Sequence, residues 1–332
     1  FDQNGKISSM NDTNGNSLHF TWSGKRLIQI QGEPQGRVNL YYNGDRLSRI
    51  TDSEGRSVYY SFTSGGALTS VTGGQSGNFQ YDYLYDGYYD TESRLRAVTG
   101  PDQQTWVTNT YSNDGKVTQQ VWGDGTIYFD YHSSYTDYID REGYLTRYYT
   151  DDLGQILREE KYEDDPNDVN SPYIIQNCYD GKYNLISKSL PSGLNSTLTY
   201  NTLNQCTKVR TYPNDGTSDM VEVNMSYESM YNKIKTITDP KGNVYTFEYD
   251  YENTGYGSTA GNLMKMTLPA VLYNGSMVNP QYHFTYNSYG QVETVTTPDG
   301  IVTLYCYGAA QDNNWGRLVG MIFDYGTGSS NL

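Results

Sequence analysis

The sequence predicts an all-β protein, a long solenoid of β-hairpins, and three observations lead there. Tyrosine occurs 36 times and glycine 34 times, against 8 phenylalanines and 4 tryptophans. Tyrosine suits a strand, where its ring packs on the pleat while its hydroxyl reaches water or a partner; glycine at this level marks many turns. Apolar and polar residues alternate with period two over short runs, and no 3.6-residue period is sustained. Strands are therefore expected to dominate, with helix nearly absent. The third observation is self-similarity along the whole chain.

The repeat has two halves. The first runs aromatic-x-x-x-Gly/Asn-x-apolar-x-x-apolar, as in Tyr286…Gly290…Val292…Val295, Phe1…Gly5…Ile7…Met10 and Tyr200…Asn204…Cys206…Val209. A looser copy is Tyr111…Gly115…Val117…Val121. The second half carries Asp-x-x-Gly and then a strand with period two. It reads Asp12…Gly15…Leu18…Phe20…Trp22, and recurs from Asp52 through Gly55, from Asp140 through Gly143 and from Asp239 through Gly242.

The physical unit is a hairpin. An Asp at the turn bonds its own backbone and a Gly accepts positive φ, so Gly15, Gly55, Gly143, Gly242 and Gly300 are assigned as repeat turns. The closing aromatics are Trp22, Tyr42, Tyr111, Tyr131, Tyr149, Tyr179, Tyr200, Tyr227, Tyr249, Tyr286 and Tyr307. These rings are expected to stack in register between neighbouring units. About 13 units form one array over residues 1–332, with a partial fourteenth at Trp315 to Tyr325. Insertions pad it at Asp86–Ser93, Glu159–Pro172, Tyr212–Met220, Tyr251–Ala260 and Ala270–Pro280. The array starts and stops inside the pattern without capping sequences, so a piece of a longer chain is expected.

The Tyr-Asp/Asn start, the Gly-x-apolar step and the Asp-Pro-x-Gly…Tyr close resemble the YD repeat of RHS proteins, a family of bacterial shell proteins to which the teneurin shells are related. Tyr81-Asp82, Tyr179-Asp180 and Tyr249-Asp250 are literal copies, and Tyr42-Asn43, Tyr200-Asn201 and Tyr286-Asn287 are variants. Roughly 26 strands at ~4.8 Å each would make a flat sheet on the order of 120 Å wide, whereas open sheets rarely pass ~10 strands without curling. The resemblance implies how it curls: as a spiralling sheet around a hollow interior, forming part of a shell.

Composition sets the limits. A formal charge of −15 argues against a nucleic-acid partner and against docking on anionic lipid, and no apolar run is long enough to insert in a membrane. Cys178, Cys206 and Cys306 lie far apart, with no metal-ligand spacing. No cofactor or metal is expected. His19, His132 and His283 stand alone and read as strand or surface residues. The acidic run Glu159, Glu160, Glu163, Asp164, Asp165 and Asp168 reads as a solvated loop, with Ca²⁺ binding as its alternative. Asp239-Pro240-Lys241-Gly242 looks like the motif that closes the self-cleaving core of bacterial RHS proteins, but an ordinary repeat strand and a further repeat follow it. The Asn-x-Ser/Thr sequons at Asn11, Asn195, Asn224 and Asn274 matter only in a secretory eukaryotic context.

No nucleophile–base, phosphate-loop or metal constellation stands out, so no enzyme is expected. Asp12, Asp52, Asp140 and Asp239 share one turn position and are the acids to watch if the fold gathers them. By resemblance, the segment is a structural part of an exported or cell-surface bacterial shell. It encloses or presents another polypeptide, such as a C-terminal toxin, or the remainder of its own longer chain. The alternative is an extracellular adhesion module whose exposed tyrosines recognise carbohydrate or a surface protein.

Overall fold

A computed structural model describes residues 1–33, 36–73, 77–84, 94–162, 172–213, 219–309 and 316–325. Trp315, much of the acidic run (Glu163 to Asp168) and the whole 86–93 insertion lie outside the described residues. Within them the chain forms one 27-stranded sheet and a separate two-stranded hairpin. It is 60% strand and 2% helix, as the composition predicts.

Every strand of the large sheet pairs antiparallel with its neighbour in sequence. Ser9–Asn11 pairs with Ser17–Ser23, that strand with Arg26–Glu33, and so on to Leu318–Phe323. The result is one layer. The chain exposes 21429 Å², about half again the roughly 14,000 Å² of a compact globule of this mass. Among the described residues, Tyr162, Tyr249 and Ala260 are the apolar ones buried outright. One face is half-buried and the other solvated: in Ser57–Phe62, Val58, Tyr60 and Phe62 are half-buried, while Tyr59 and Ser61 are exposed. The half-buried side chains shield one another across strands, in rows such as Phe20–Ile30–Val38 and Met225–Ile237–Tyr245. His19 and His283 lie on the exposed face.

Two kinds of turn alternate, one at each edge of this ribbon. Tips join the two strands of a repeat, and closing turns lead from one repeat to the next. Many turns at both edges use the same five residues. At Asp12, the carboxylate Oδ1 accepts the amides of Asn14 (2.9 Å) and Asn16 (2.8 Å), while the Gly15 amide donates to the Asp12 carbonyl. The fourth residue has positive φ. Gly15, Gly55, Gly143, Gly242 and Gly300 stand there at 88°, 83°, 93°, 82° and 87°. In other turns Asn201, Asn287 or Thr297 supplies the acceptor, and Asn204 takes the left-handed position. The padded turns differ. Residues 250–262 form two short 3₁₀ turns (Asp250–Glu252, Thr254–Tyr256), and Val271–Tyr273 pairs with Ser276–Val278 as a projecting hairpin.

Two expectations need correction. Among the described residues no closing aromatic named above stacks on another; the recorded partners are rings such as Tyr251 beside Tyr249 at 6.0 Å. The reason is spacing. Two strands separate successive closing rings by ~9.6 Å, beyond the 4.5–7 Å of ring contact. Glu159 and Glu160 are also not loop residues: both lie in the strand Ile156–Tyr162, and Glu160 is buried.

Tyr249 is 7% exposed, whereas Tyr256 is a half-buried insertion residue. Tyr249→Ala is expected to cost ~3–5 kcal/mol in denaturant melts and Tyr256→Ala clearly less. Equal losses would contradict the assigned repeat frame.

Candidate functional site: the aromatic ladder and the winding seam

The closing aromatic does one job in most repeats. Its polar atom donates to the backbone carbonyl of the apolar residue that opens the same hairpin. Trp22 Nε1 donates to Ile7 O (2.8 Å), Tyr42 to Leu27 O (2.8 Å), Tyr111 to Leu95 O (2.7 Å) and Tyr131 to Val117 O (2.9 Å). Tyr200 reaches Leu185 O (2.9 Å), Tyr227 Cys206 O (2.7 Å) and Tyr249 Ile234 O (2.7 Å). Tyr286 reaches Leu263 O (2.9 Å) and Tyr307 Val292 O (2.8 Å). Tyr179 shares Ile156 O with the amide of Asn177.

The bonds form a chain. Leu263 pairs across the sheet with Tyr249 and accepts from Tyr286; Val292 pairs with Tyr286 and accepts from Tyr307. At each such pairing the register slips by one residue, as between Glu248 and Tyr249. The bulge opens the hairpin's wide end, and the hydroxyl supplies the donor that the ladder there lacks. A cation often covers the same ring: Lys6 over Trp22, Arg94 over Tyr111 and Lys233 over Tyr249. Burial pushes the Tyr249 hydroxyl up to about 12, so it remains a donor at neutral pH.

Tyr149 departs from the pattern. Its hydroxyl goes to the Glu160 carboxylate (3.3 Å), which also accepts from Tyr162 (2.9 Å) and pairs with Arg158. Burial, then Glu160, pushes Tyr162 up to about 12. Arg147, opposite Glu160 across the sheet, forms a two-pronged bond with Asp137 (2.7 and 2.9 Å) and lies 4.0 Å from the Tyr135 ring centre. Asp137 holds Arg147 well above its usual range. His132 Nε2 is 3.3 Å from Asp130 and 3.7 Å from Asp137. Sequence reading missed this network, because Arg147 and Glu160 occupy paired positions where other repeats carry polar residues as well, such as His19 with Gln31 and His283 with Thr296.

The ribbon closes on itself. Asn262 Nδ2 donates to Asn14 Oδ1 (2.9 Å), and Asn16 Nδ2 donates to Tyr289 O (3.1 Å), across 248 and 273 residues. Asn14 and Asn16 belong to a tip, Asn262 and Tyr289 to closing turns. Opposite edges therefore meet, and the ribbon advances by its own width as it comes round: it is a helical winding and not a flat ring. About 22 strands lie between the contacts, a circuit on the order of 105 Å and roughly 35 Å across. Gly290 permits the approach, because it has φ 77° and a Cβ there would fall on the Asn14 side chain.

The acids at the shared turn position, Asp12, Asp52, Asp140 and Asp239, each accept two amides of their own turn. No group of three His, Cys, Asp or Glu among the described residues is placed to hold a metal. The three cysteines are free thiols, and no described helix is long and apolar enough to cross a membrane.

No family model matches the chain, and no curated protein does. Solved structures do share the fold. TcdB2-TccC3 superposes with a TM-score of 0.57 at 12% identity, over 97% of this chain and 18% of that one. TcdB2-TccC3-TEV gives 0.62 at 11%, over 92% and 17%, and TcdB2-TccC3-Cdc42 gives 0.56 at 12%, over 94% and 17%. The chain thus spans less than a fifth of those it resembles.

The ladder has a gap where Phe62 closes a repeat without a hydroxyl, beside a cavity of about 620 Å³ lined by Arg46, Ser48, Tyr60 and Phe62. Phe62→Tyr is expected to reach Leu47 O, which pairs with Tyr42, and to stabilise the chain by about 1 kcal/mol. The reverse change, Tyr307→Phe, should cost about 1–2 kcal/mol in the same urea titration.

Acid should loosen the turns. Bonds from Asn16, Arg56, Asn184 and Asn243, reinforced by turn amides, hold Asp12, Asp52, Asp180 and Asp239 below the ordinary 3.8. A folded value below the unfolded one gives stability that is present above the unfolded pKa and lost as pH falls through the folded one. Urea midpoints should therefore drop between about pH 5 and pH 2. Changing the four to Asn keeps an acceptor and should flatten that drop; an unchanged drop would mean other groups cause it.

Proposed function

We propose that the chain is a stretch of the wall of an RHS-type shell, exported from or displayed on a bacterial cell, which encloses or presents another polypeptide. The seam carries this reading. A one-layer ribbon that returns with its tips against its closing turns bounds an interior, which a flat sheet does not. The fold likeness to TcdB2-TccC3 over 97% of this chain supports it. The enclosed partner is the remainder of a longer chain or a separate toxin-like polypeptide. The wall has no reaction of its own, since the acids that recur in register hold turns.

One observation favours adhesion as a second reading. Tyr41 and Tyr59 are exposed on the solvated face, on either side of Arg49 in register, and the guanidinium lies 4.0 Å from the Tyr41 ring centre. Exposed aromatic and Arg side chains of this kind anchor protein partners.

In the full-length parent protein, the enclosed polypeptide is expected to resist added protease. Gly290→Val, which pushes the seam apart, should make it cleavable, while Tyr59→Ser should not. Digestion of the enclosed segment as fast as the same segment free in solution would overturn the shell reading. A substrate screen of the 332-residue chain with glycans, peptides and phosphoesters should be blank. Turnover that Asp239→Asn abolishes with circular dichroism unchanged would make the chain an enzyme.

A further inference from the structure

We infer that the cavity at the seam, between the first hairpin tip and the 250–262 insertion, binds a neutral carbohydrate. It holds about 520 Å³, open on one side, between Thr13 and Asn14 on one winding and residues 256–260, Asn262, Met264 and residues 286–288 on the next. That volume falls within the roughly 300–1,000 Å³ of small-molecule sites.

The lining contains no Asp, Glu, Lys or Arg, in a chain that carries 38 acids and 23 Lys and Arg. An ionised ligand would find no counter-charge in that wall. The wall instead offers hydroxyls, amides and two aromatic rings, Tyr256 and Tyr286. The hydroxyls of Thr13, Thr259 and Ser288 make no hydrogen bond within the described residues. Free hydroxyls beside a ring suit a pyranose, whose rim is all hydroxyl and whose face is C–H.

The wall is fixed before any ligand arrives. An ordinary closing turn such as 287–291 uses five residues, and this one uses thirteen (250 to 262 inclusive). Asp250, fully buried, accepts the amides of Gly261 (2.8 Å) and Ala260 (3.1 Å). The preceding turn clamps the loop from outside: Tyr231 donates to Thr259 O (2.6 Å), and Lys233 to Gly261 O. A loop held this way loses little entropy on binding, which is how pre-organised sites gain affinity.

The inference stands apart from the shell reading, because titration tests this site and protease protection tests the other. The intact chain is titrated with maltotriose, cellotriose and triacetylchitotriose, with trigalacturonic acid as the charged control. At least one neutral sugar is expected to bind with a Kd near or below about 1 mM, and the acid at least about tenfold more weakly. Ser288→Trp and Thr259→Trp, which fill the cavity, should each raise that Kd about tenfold or more. If either filled variant melts early, the Ser288→Ala/Thr259→Ala double variant, which removes only hydroxyls, should still weaken binding severalfold. Tyr59→Ser, on the solvated face, should leave the Kd unchanged. No neutral sugar bound up to about 10 mM, equal binding of the acid, or a Kd indifferent to both the filling and the hydroxyl-removing variants would each overturn the assignment.

Discussion

The structure depends on one hydrogen bond, from the hydroxyl of a closing tyrosine to the carbonyl at the mouth of its own hairpin. A single-layer sheet has no second layer to cover a defect in its ladder. Wherever strands diverge, as they must at each bulge, a carbonyl loses its amide partner in a half-buried place, at a cost of about 1–3 kcal/mol if nothing replaces it. The closing aromatic replaces it while its ring fills the gap that the bulge opens. This accounts for the residue type at the closing position. The position needs an aromatic with a donor, so tyrosine fills it in most repeats, and the first repeat uses the other such aromatic, Trp22.

The same bookkeeping bears on the acidity. Asp at the first turn position turns two amides that would otherwise face solvent unpaired into bonds with a carboxylate, which are stronger than bonds to a neutral acceptor. Asn201, Asn287 and Thr297 do the work with less charge, so the geometry needs an oxygen acceptor and tolerates a negative one. Part of the −15 is therefore a consequence of turn chemistry repeated along the chain, and it says little about a partner.

Local features were legible in the sequence because each repeat states them again. Period two, Asp-x-x-Gly and the aromatic spacing are short-range, and a dozen copies average out the deviations. Features that depend on register between strands were not legible. Arg147 faces both Asp137 and Glu160 only because two strand pairings align them, and the acidic run looked like a loop because nothing in its composition separates Glu159 and Glu160, which end a strand, from the acids that follow. The expected ring stacking failed for a related reason: sequence spacing gives the repeat length but not the two strand widths that separate successive rings. The seam was least visible of all. It follows from a small curvature added over about 22 strands, and no residue near Asn14 or Asn262 announces that the two will meet.

That origin determines how such a wall would yield. Along the ribbon, every repeat is tied to the next by a run of ladder bonds, and at the closing edge by side-chain bonds such as Gln205 to Asn232 O (2.9 Å) and Gln291 to Gly316 O (2.8 Å). Across the seam, the hydrogen bonds run from the side chains of Asn16 and Asn262, half-buried asparagines at turns open to water. Polar bonds open to water contribute little net stability each, because water competes for the same groups. Separating two windings therefore costs far less than parting two strands. A load that widens the winding will slide its edges apart at Asn14 and Gly290 before any hairpin unzips, and the repeats themselves will remain folded while it does so.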